Sequence, residues 1–123
     1  MSDSIDIDRQ SLLRASAILD LIVAGWRPSP AELRDARHLE DWAVRPGIAG
    51  DLYQLVGTVY APAPFILTEP LLAIDPQGGW ALVWDEWIAL GDSLPEEPSI
   101  DPADVQRVGT AWLTRQLFGP SVH

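Results

Sequence analysis

Two short segments of this chain combine a helix N-cap with a proline at the first helical position. In Ser29-Pro30-Ala31-Glu32, the Ser29 hydroxyl can accept from the N–H of Glu32, whose carboxylate can reach back to the N–H of Ser29. Asp101-Pro102-Ala103-Asp104 repeats the N-cap and the proline. Each segment therefore marks a residue at which a helix begins, and the chain divides into N-terminal, middle and C-terminal parts.

The N-terminal part is predicted to form a helical hairpin over residues 9–42. Apolar residues recur at three- and four-residue spacing between Leu12 and Ile22, which is typical of an amphipathic helix over 9–24. A second helix is predicted over about 30–40. Its inward-facing residues are expected to be Leu33, Ala36 and Leu39.

The middle part, residues 52–90, is predicted to form a small three-stranded antiparallel sheet. The predicted strands are residues 52–60, residues 65–74 with a break at Glu69-Pro70, and residues 80–90. Asp75-Pro76-Gln77-Gly78-Gly79 is a strong turn signal before the last of them.

The stretch from Trp80 to Leu90 also fits helical spacing through its tryptophans. The glycine pair before it and its content of Val and aromatic residues favour a strand. A regular strand here requires a β-bulge near Asp85-Glu86, which turns the two carboxylates outward.

The C-terminal part begins with an acidic loop over residues 91–101 and continues as a helix over residues 102–118. The first eight residues are predicted to be flexible. With 123 residues, the chain is expected to form a single domain of the α+β class. The predicted architecture is an N-terminal helical hairpin, the small antiparallel sheet and the C-terminal helix.

Parts of the chain resemble a family of small bacterial proteins of unknown function. The similarity covers roughly residues 12–91. It rests on residues 25–33 (GWRPSPAEL), 39–42 (LEDW), 55–57 (LVG), 66–68 (ILT), 72–75 (LAID), 79–81 (GWA) and 90–91 (LG). The family carries Arg and hydroxyl residues in its Trp80–Leu90 strand, where this chain has Leu82, Val83, Asp85, Glu86 and Ala89. The resemblance therefore carries no activity over to this chain.

The net charge of −10 is concentrated in one part of the sequence. Residues 46–106 hold ten carboxylates and no basic residue, whereas all eight arginines lie outside this range. Binding to nucleic acid or to an anionic membrane requires a basic surface, so neither is expected. The concentration of charge instead predicts an acidic face for a partner with a basic surface.

Enzymatic chemistry has little support in the sequence. There is no cysteine, and His38 and His123 are the only histidines. The adjacent carboxylates Asp85-Glu86 and Glu40-Asp41 point to opposite sides of a strand, which does not suit shared acid–base catalysis. No nucleotide-binding loop or nucleophile elbow is present. We therefore expect no catalytic site, no metal and no cofactor.

The main functional hypothesis is a non-catalytic, acidic protein-binding module. Its most specific form is an antagonist of a nucleic-acid-binding protein, such as an anti-CRISPR or other anti-defence protein, whose carboxylates occupy phosphate-binding sites. Exposed tryptophans would add contact area. The predicted partner-binding residues are Trp84, Asp85, Glu86, Trp87, Asp92, Glu96, Glu97, Asp101 and Asp104.

Two alternatives remain open. One is a small-molecule binder or hydrolase that uses the Trp80–Leu90 hairpin and His38 in a concave pocket. The other is a structural homodimer formed through an open sheet edge. The acidic N-terminus and the absence of a long apolar stretch predict a cytoplasmic location.

Overall fold

A computed structural model of the chain describes residues 9–47, 51–60, 62–95 and 101–118. In chain order the elements are α1 (Arg9–Val23), α2 (Pro30–Arg34), β1 (Arg37–Arg45), β2 (Tyr53–Val59), β3 (Phe65–Leu71), β4 (Ala73–Asp75), β5 (Trp80–Val83), β6 (Glu86–Leu90) and α3 (Pro102–Phe118). In the described residues the strands form one six-stranded sheet in the order β3-β2-β1-β6-β5-β4. The β1–β6 pair is parallel and the other pairs are antiparallel.

Both helix starts are confirmed. The N–H of Glu32 donates to the Ser29 hydroxyl over 3.1 Å, and the N–H of Ser29 donates to the Glu32 carboxylate over 2.8 Å. At the second start, Asp101 accepts from the N–H of Ala103 over 3.0 Å, and α3 spans the predicted residues. These contacts are local, so short segments of sequence are sufficient to predict them.

The predicted helical hairpin is wrong, because α2 ends at Arg34 and the chain enters the sheet at Arg37. The strand β1 lies between β2 and β6 and forms hydrogen bonds along both edges. Leu33, Ala36 and Leu39 have helical spacing, yet of the three only Leu39 is fully buried, and it is buried as a strand residue. Pairing with two distant strands therefore overrides the local helical pattern.

The predicted three-stranded antiparallel sheet is also wrong. Besides the added β1, residues 80–90 form two strands, β5 and β6, instead of one strand with a bulge. Val83 pairs with Glu86, so Trp84 and Asp85 form a two-residue turn between them. Trp84 has φ of 53°, the left-handed conformation that such tight hairpin turns require. The class remains α+β.

A bulge in β1 lets this strand pair with both halves of the sheet. Residues Arg37–Leu39 pair with β6, whereas Glu40 and the residues after it pair with β2. The register shifts between Glu40 and Ala43, and Asp41 in the bulge has φ of 51°. The sheet curls, and β3 contacts β5 across the interior of the curl.

The core has two parts, one on each face of β5. Trp80 and Leu82 pack against α1 and α3, whereas Ala81 and Val83 face the interior of the curl. This alternation follows from the two-residue period of a strand. All four residues of β5 are buried, which explains the uninterrupted apolar sequence of this strand.

Helix α3 approaches the sheet where β3 passes into β4. Leu72 forms the bend between these strands, and its N–H donates to the carbonyl of Leu82 over 2.9 Å. Gly109 lies against this bend, because a Cβ built there would be 2.7 Å from the carbonyl oxygen of Leu72. A side chain at this position would push α3 away from the backbone.

We predict that Gly109→Ala destabilises the protein by about 1 kcal/mol or more, because the overpacking cost exceeds the gain in helix propensity. The measurement is urea unfolding followed by tryptophan fluorescence. Thr110→Ala, on the exposed neighbouring residue, is the control and should leave the free energy of unfolding unchanged or slightly raised. A Gly109→Ala protein more stable than the wild type would contradict the close approach of α3.

Candidate functional site

Arginines from the N-terminal part pair with the predicted carboxylates at the β5–β6 turn. The guanidinium of Arg14 on α1 donates to Asp85 over 2.9 Å. Arg37 of β1 donates to both carboxylate oxygens of Glu86, over 2.8 and 2.9 Å. Exposed pairs of this kind contribute little to stability, but they cancel the negative charge at the turn. The charge separation along the sequence is therefore partly removed by the fold.

The two tryptophans beside these carboxylates are half-buried and pack against other aromatic rings. The ring of Trp84 lies 5.3 Å from that of Trp112 on α3. The ring of Trp87 lies 5.6 Å from that of Trp26 and 5.5 Å from that of Trp80. Most of the area that Trp84 and Trp87 could offer to a partner is thus used within the chain.

The remaining predicted site residues lie in other places. Asp92 is exposed, and its N–H donates to the carboxylate of Glu40 on β1 over 3.0 Å. Asp101 and Asp104 lie at the start of α3, where Asp104 accepts from the hydroxyl of Tyr53 and from Arg107. Along α3, Asp104 is about 12 Å from Trp112, at 1.5 Å per residue. Glu96 and Glu97 lie outside the described residues.

A groove of about 320 Å³ lies at the β5–β6 turn, beside the two carboxylates of the Trp80–Leu90 hairpin. Asp85, Glu86 and Trp87 line it together with Arg37. Both carboxylates are bound to arginines, Asp85 to Arg14 and Glu86 to Arg37. Asp85 and Glu86 therefore occupy similar, arginine-paired environments and not the contrasting ones that acid–base catalysis uses.

A different surface combines exposed apolar side chains with carboxylates. We call it the Tyr60 surface and define it by Glu40, Asp41, Tyr60, Phe65 and Ile66. Residue pairing places Glu40, Thr58 and Ile66 side by side on one face. Phe65 is paired with Val59 and projects from the opposite face at the same end of β3. The hydroxyl of Tyr60 donates to the carboxylate of Asp41 over 3.0 Å.

The apolar members of the Tyr60 surface are unusually exposed. Tyr60 retains 53% of its accessible area, Phe65 44% and Ile66 67%. They lie at the beginning of β3, which is an edge strand of the sheet. A hollow of about 500 Å³ lies beside Tyr60 and is lined by Ala36, Arg37, His38, Glu40, Val59 and Tyr60.

A second concave feature, the Arg27 cleft, lies between the α1–α2 connection and the sheet and has a volume of about 510 Å³. It is lined by Arg27, Pro28, Pro30, Leu33, Arg34, His38, Asp75, Gly78, Trp80 and Ala89. Of the residues that the sequence analysis connected with a small-molecule site, it contains His38 and Trp80.

The sequence analysis did not identify Tyr60, Phe65 or Ile66 as surface residues, because an apolar strand residue is normally expected to be buried. A usable signal was the segment Ala61-Pro62-Ala63-Pro64 between the first two of them, which cannot continue a strand ladder. Arg27 and Arg34 were missed as well. Their signal was their position on either side of the capping box, where a helix start and a turn hold nearby side chains in place.

Among the described residues, no group of three or more His, Asp or Glu side chains is arranged to hold a metal ion. In the same part of the chain, no helix has the length and apolar character needed to cross a bilayer.

Comparison of the chain with protein-family models, with curated proteins and with solved structures finds no match.

Both tyrosines of the chain are predicted to ionise above their ordinary pKa of 10.0. The hydrogen bond to Asp41 raises the pKa of Tyr60, and the hydrogen bond to Asp104 raises that of Tyr53. Because the pKa is raised in the folded chain, each protonated tyrosine stabilises the folded chain fully below pH 10. This stabilisation is lost as the pH rises through the pKa of the folded state. Phenolate absorbance should therefore appear at higher pH in the folded chain than in the denatured chain.

The substitution Asp41→Asn should lower the pKa of Tyr60 and leave that of Tyr53 unchanged. Asp20→Asn, on the exposed face of α1, is the matched control and should change neither titration. Superimposed titration curves for the wild type and Asp41→Asn would contradict the Tyr60–Asp41 contact.

Proposed function

We propose that this chain is a non-catalytic protein-binding module that contacts a partner with a basic surface through the Tyr60 surface. The observation that carries the proposal is the exposure of Tyr60, Phe65 and Ile66 beside carboxylates at a sheet edge. Contiguous exposed apolar side chains bordered by polar groups are typical of protein-interaction sites.

The shape of this region supports a protein partner. Within the described residues no strand pairs with the outer edge of β3, so main-chain groups at this edge remain available to an extended segment of a partner. The hollow beside Tyr60 offers space for a partner side chain next to the Glu40 carboxylate. Tyrosine is also among the residues that contribute most to binding at protein interfaces.

The charge of the region supports a basic partner. Glu40, Asp41 and Asp92 form no ion pair with an arginine in the described part of the chain, in contrast to Asp85, Glu86 and Asp104. The whole chain has a net charge of −10, so its field attracts a basic surface over a distance set by the salt concentration. Relative to the sequence-based hypothesis, the proposed contact moves from the β5–β6 turn to the β2–β3 end of the sheet.

The narrower hypothesis is an antagonist of a nucleic-acid-binding protein, of the anti-CRISPR or anti-defence type. It requires that the partner contacts be Lys and Arg residues that otherwise bind phosphate. This hypothesis stays a prediction, and identification of the captured partner tests it directly.

The test is affinity capture of the tagged chain from its own host, followed by reconstitution with the purified partner. Ile66→Ser and Asp41→Asn should each weaken the reconstituted complex about tenfold or more, because they remove exposed apolar area and an unpaired charge at the contact. Raising the salt from about 0.1 M to about 1 M shortens the screening length from about 10 Å to about 3 Å and should weaken it further.

Matched controls lie on α1. Val23 is 60% exposed, so Val23→Ser removes a comparable apolar side chain elsewhere, and Asp20→Asn removes a comparable charge. A complex that responds equally to the control and test variants, or that is insensitive to salt, would overturn the proposal. Solution mass is measured in parallel, since a dimer that Ile66→Ser dissociates would identify a second copy as the occupant of this surface.

A further inference from the structure

We infer that the Arg27 cleft binds a small organic anion, with a carboxylate or phosphate headgroup on a compact apolar body. The inference is independent of the proposed protein contact, because it rests on a different set of side chains. It takes its support from the position, the charge and the hydrogen-bonding groups of the cleft.

The floor of the cleft is a row of residues across four strands. His38 of β1 pairs with Ala89 of β6, Ala89 pairs with Trp80 of β5, and Trp80 pairs with Asp75 of β4. Paired residues project from the same face of a sheet, so these four side chains lie side by side. The segment from Arg27 to Arg34 forms the opposite wall. A floor built on neighbouring strands is rigid, which favours ligand binding.

The cleft has more positive than negative charge, although the chain as a whole is strongly acidic. Arg27 and Arg34 line it together with a single carboxylate, that of Asp75. Asp75 is partly engaged by the turn, since one of its oxygens accepts the N–H groups of Gln77 and Gly78 over 3.1 and 3.0 Å. Among the described residues, no carboxylate forms an ion pair with Arg27 or Arg34. Two uncompensated guanidinium groups at one cleft are suited to an oxyanion.

Arg27 is held in position without a carboxylate. Its guanidinium donates to the main-chain carbonyls of Ile22 and Trp26, over 3.1 and 2.7 Å. The same group lies 5.9 Å from the centre of the Trp80 ring, close enough for a cation–π contact. These contacts orient the charge but do not neutralise it. The charge therefore remains available to a ligand.

The indole of Trp80 adds an uncharged donor. Its Nε1 forms no hydrogen bond within the described residues. Every fully buried side-chain donor there has a partner, so this N–H is at least partly exposed. Gly78 leaves space beside it, because a Cβ built there would lie 3.0 Å from Nε1 and 2.7 Å from the Asp75 carboxylate. Trp80 itself is 4% exposed, so the rest of its ring is held in the core.

The apolar residues of the lining indicate which kind of ligand body fits the cleft. Pro28, Pro30, Leu33 and Ala89 are apolar and surround the basic groups. A volume of about 510 Å³ is within the range of small-molecule sites and is larger than a bare inorganic ion requires. The cleft therefore fits an anionic group joined to a small ring or short chain.

The test uses four probes with the full chain: phenylacetate, phenyl phosphate, the neutral phenylacetamide and inorganic phosphate. Binding is followed by calorimetry and by NMR shifts of the backbone and indole N–H groups. We expect saturable binding of phenylacetate, phenyl phosphate or both, with shifts at His38 and at the Trp80 indole. Phenylacetamide should bind about tenfold or more weakly than the better anion, because it lacks the charge. The ratio of the two anions identifies the preferred headgroup.

Arg34→Gln should weaken binding of the better anion about tenfold or more. Arg115→Gln, at an exposed position of α3, should leave that binding unchanged. Gly78→Ala is the second variant and should weaken binding, because its Cβ would lie against the Trp80 N–H and push the Asp75 carboxylate from its place. The thermal unfolding of each variant confirms that it is folded. Equal effects of Arg34→Gln and Arg115→Gln would overturn the inference. Three binding results would also overturn the inference. The first is equal affinity for phenylacetamide and the better anion, and the second is equal affinity for inorganic phosphate and phenyl phosphate. The third is that no probe binds.

Discussion

The main-chain hydrogen bonds of β1 hold the sheet together. One edge of this strand pairs with β2 and, through it, with β3, and the other edge pairs with β6 and, through it, with β5 and β4. The bulge at Asp41 changes the direction of β1 between these two pairings, and the sheet curls around the inner core as a result. Helices α1 and α3 then pack outside the curl, against β4 and β5. Removal of β1 from the sheet would separate the two halves of the fold.

The same strand connects the two candidate binding features. His38 and Glu40 are two residues apart on β1, so their side chains project from the same face of the strand. His38 lines the Arg27 cleft, Glu40 belongs to the Tyr60 surface, and both line the hollow between these features. A partner at the Tyr60 surface and a ligand in the cleft would therefore contact neighbouring parts of one rigid strand.

Electrostatics in this protein depend on the fold more than on the composition. Along the sequence, all arginines lie outside the acidic stretch of residues 46–106, so the opposite charges are separated. In the structure, Arg14 reaches Asp85 across 71 residues of sequence, and Arg37 reaches Glu86 across 49. Arg27 and Arg34 remain without a carboxylate partner in the described part of the chain. The result is an acidic chain whose described residues include the basic Arg27 cleft.

The parts of the structure that could be predicted from sequence depend on near neighbours. The Ser29 capping box, the start of α3 at Asp101 and the turn at residues 75–79 each involve only a few consecutive residues, whose chemistry determines their conformation. The same holds for β2, whose buried residues alternate as its sequence indicates. The sequence also determined the α+β class, because helical and strand periodicities occupy separate segments.

The tertiary structure decided the rest. Residues 37–45 form a strand because β2 and β6 flank them, although local spacing also allowed a helix. Trp84 adopts a left-handed turn because β5 and β6 pair on either side of it. The exposure of Ile66 and the uncompensated charge of Arg34 likewise depend on which distant elements pack nearby. Free energies of such contacts between residues far apart in sequence are not encoded in any short segment, so only the folded chain shows where its binding surfaces lie.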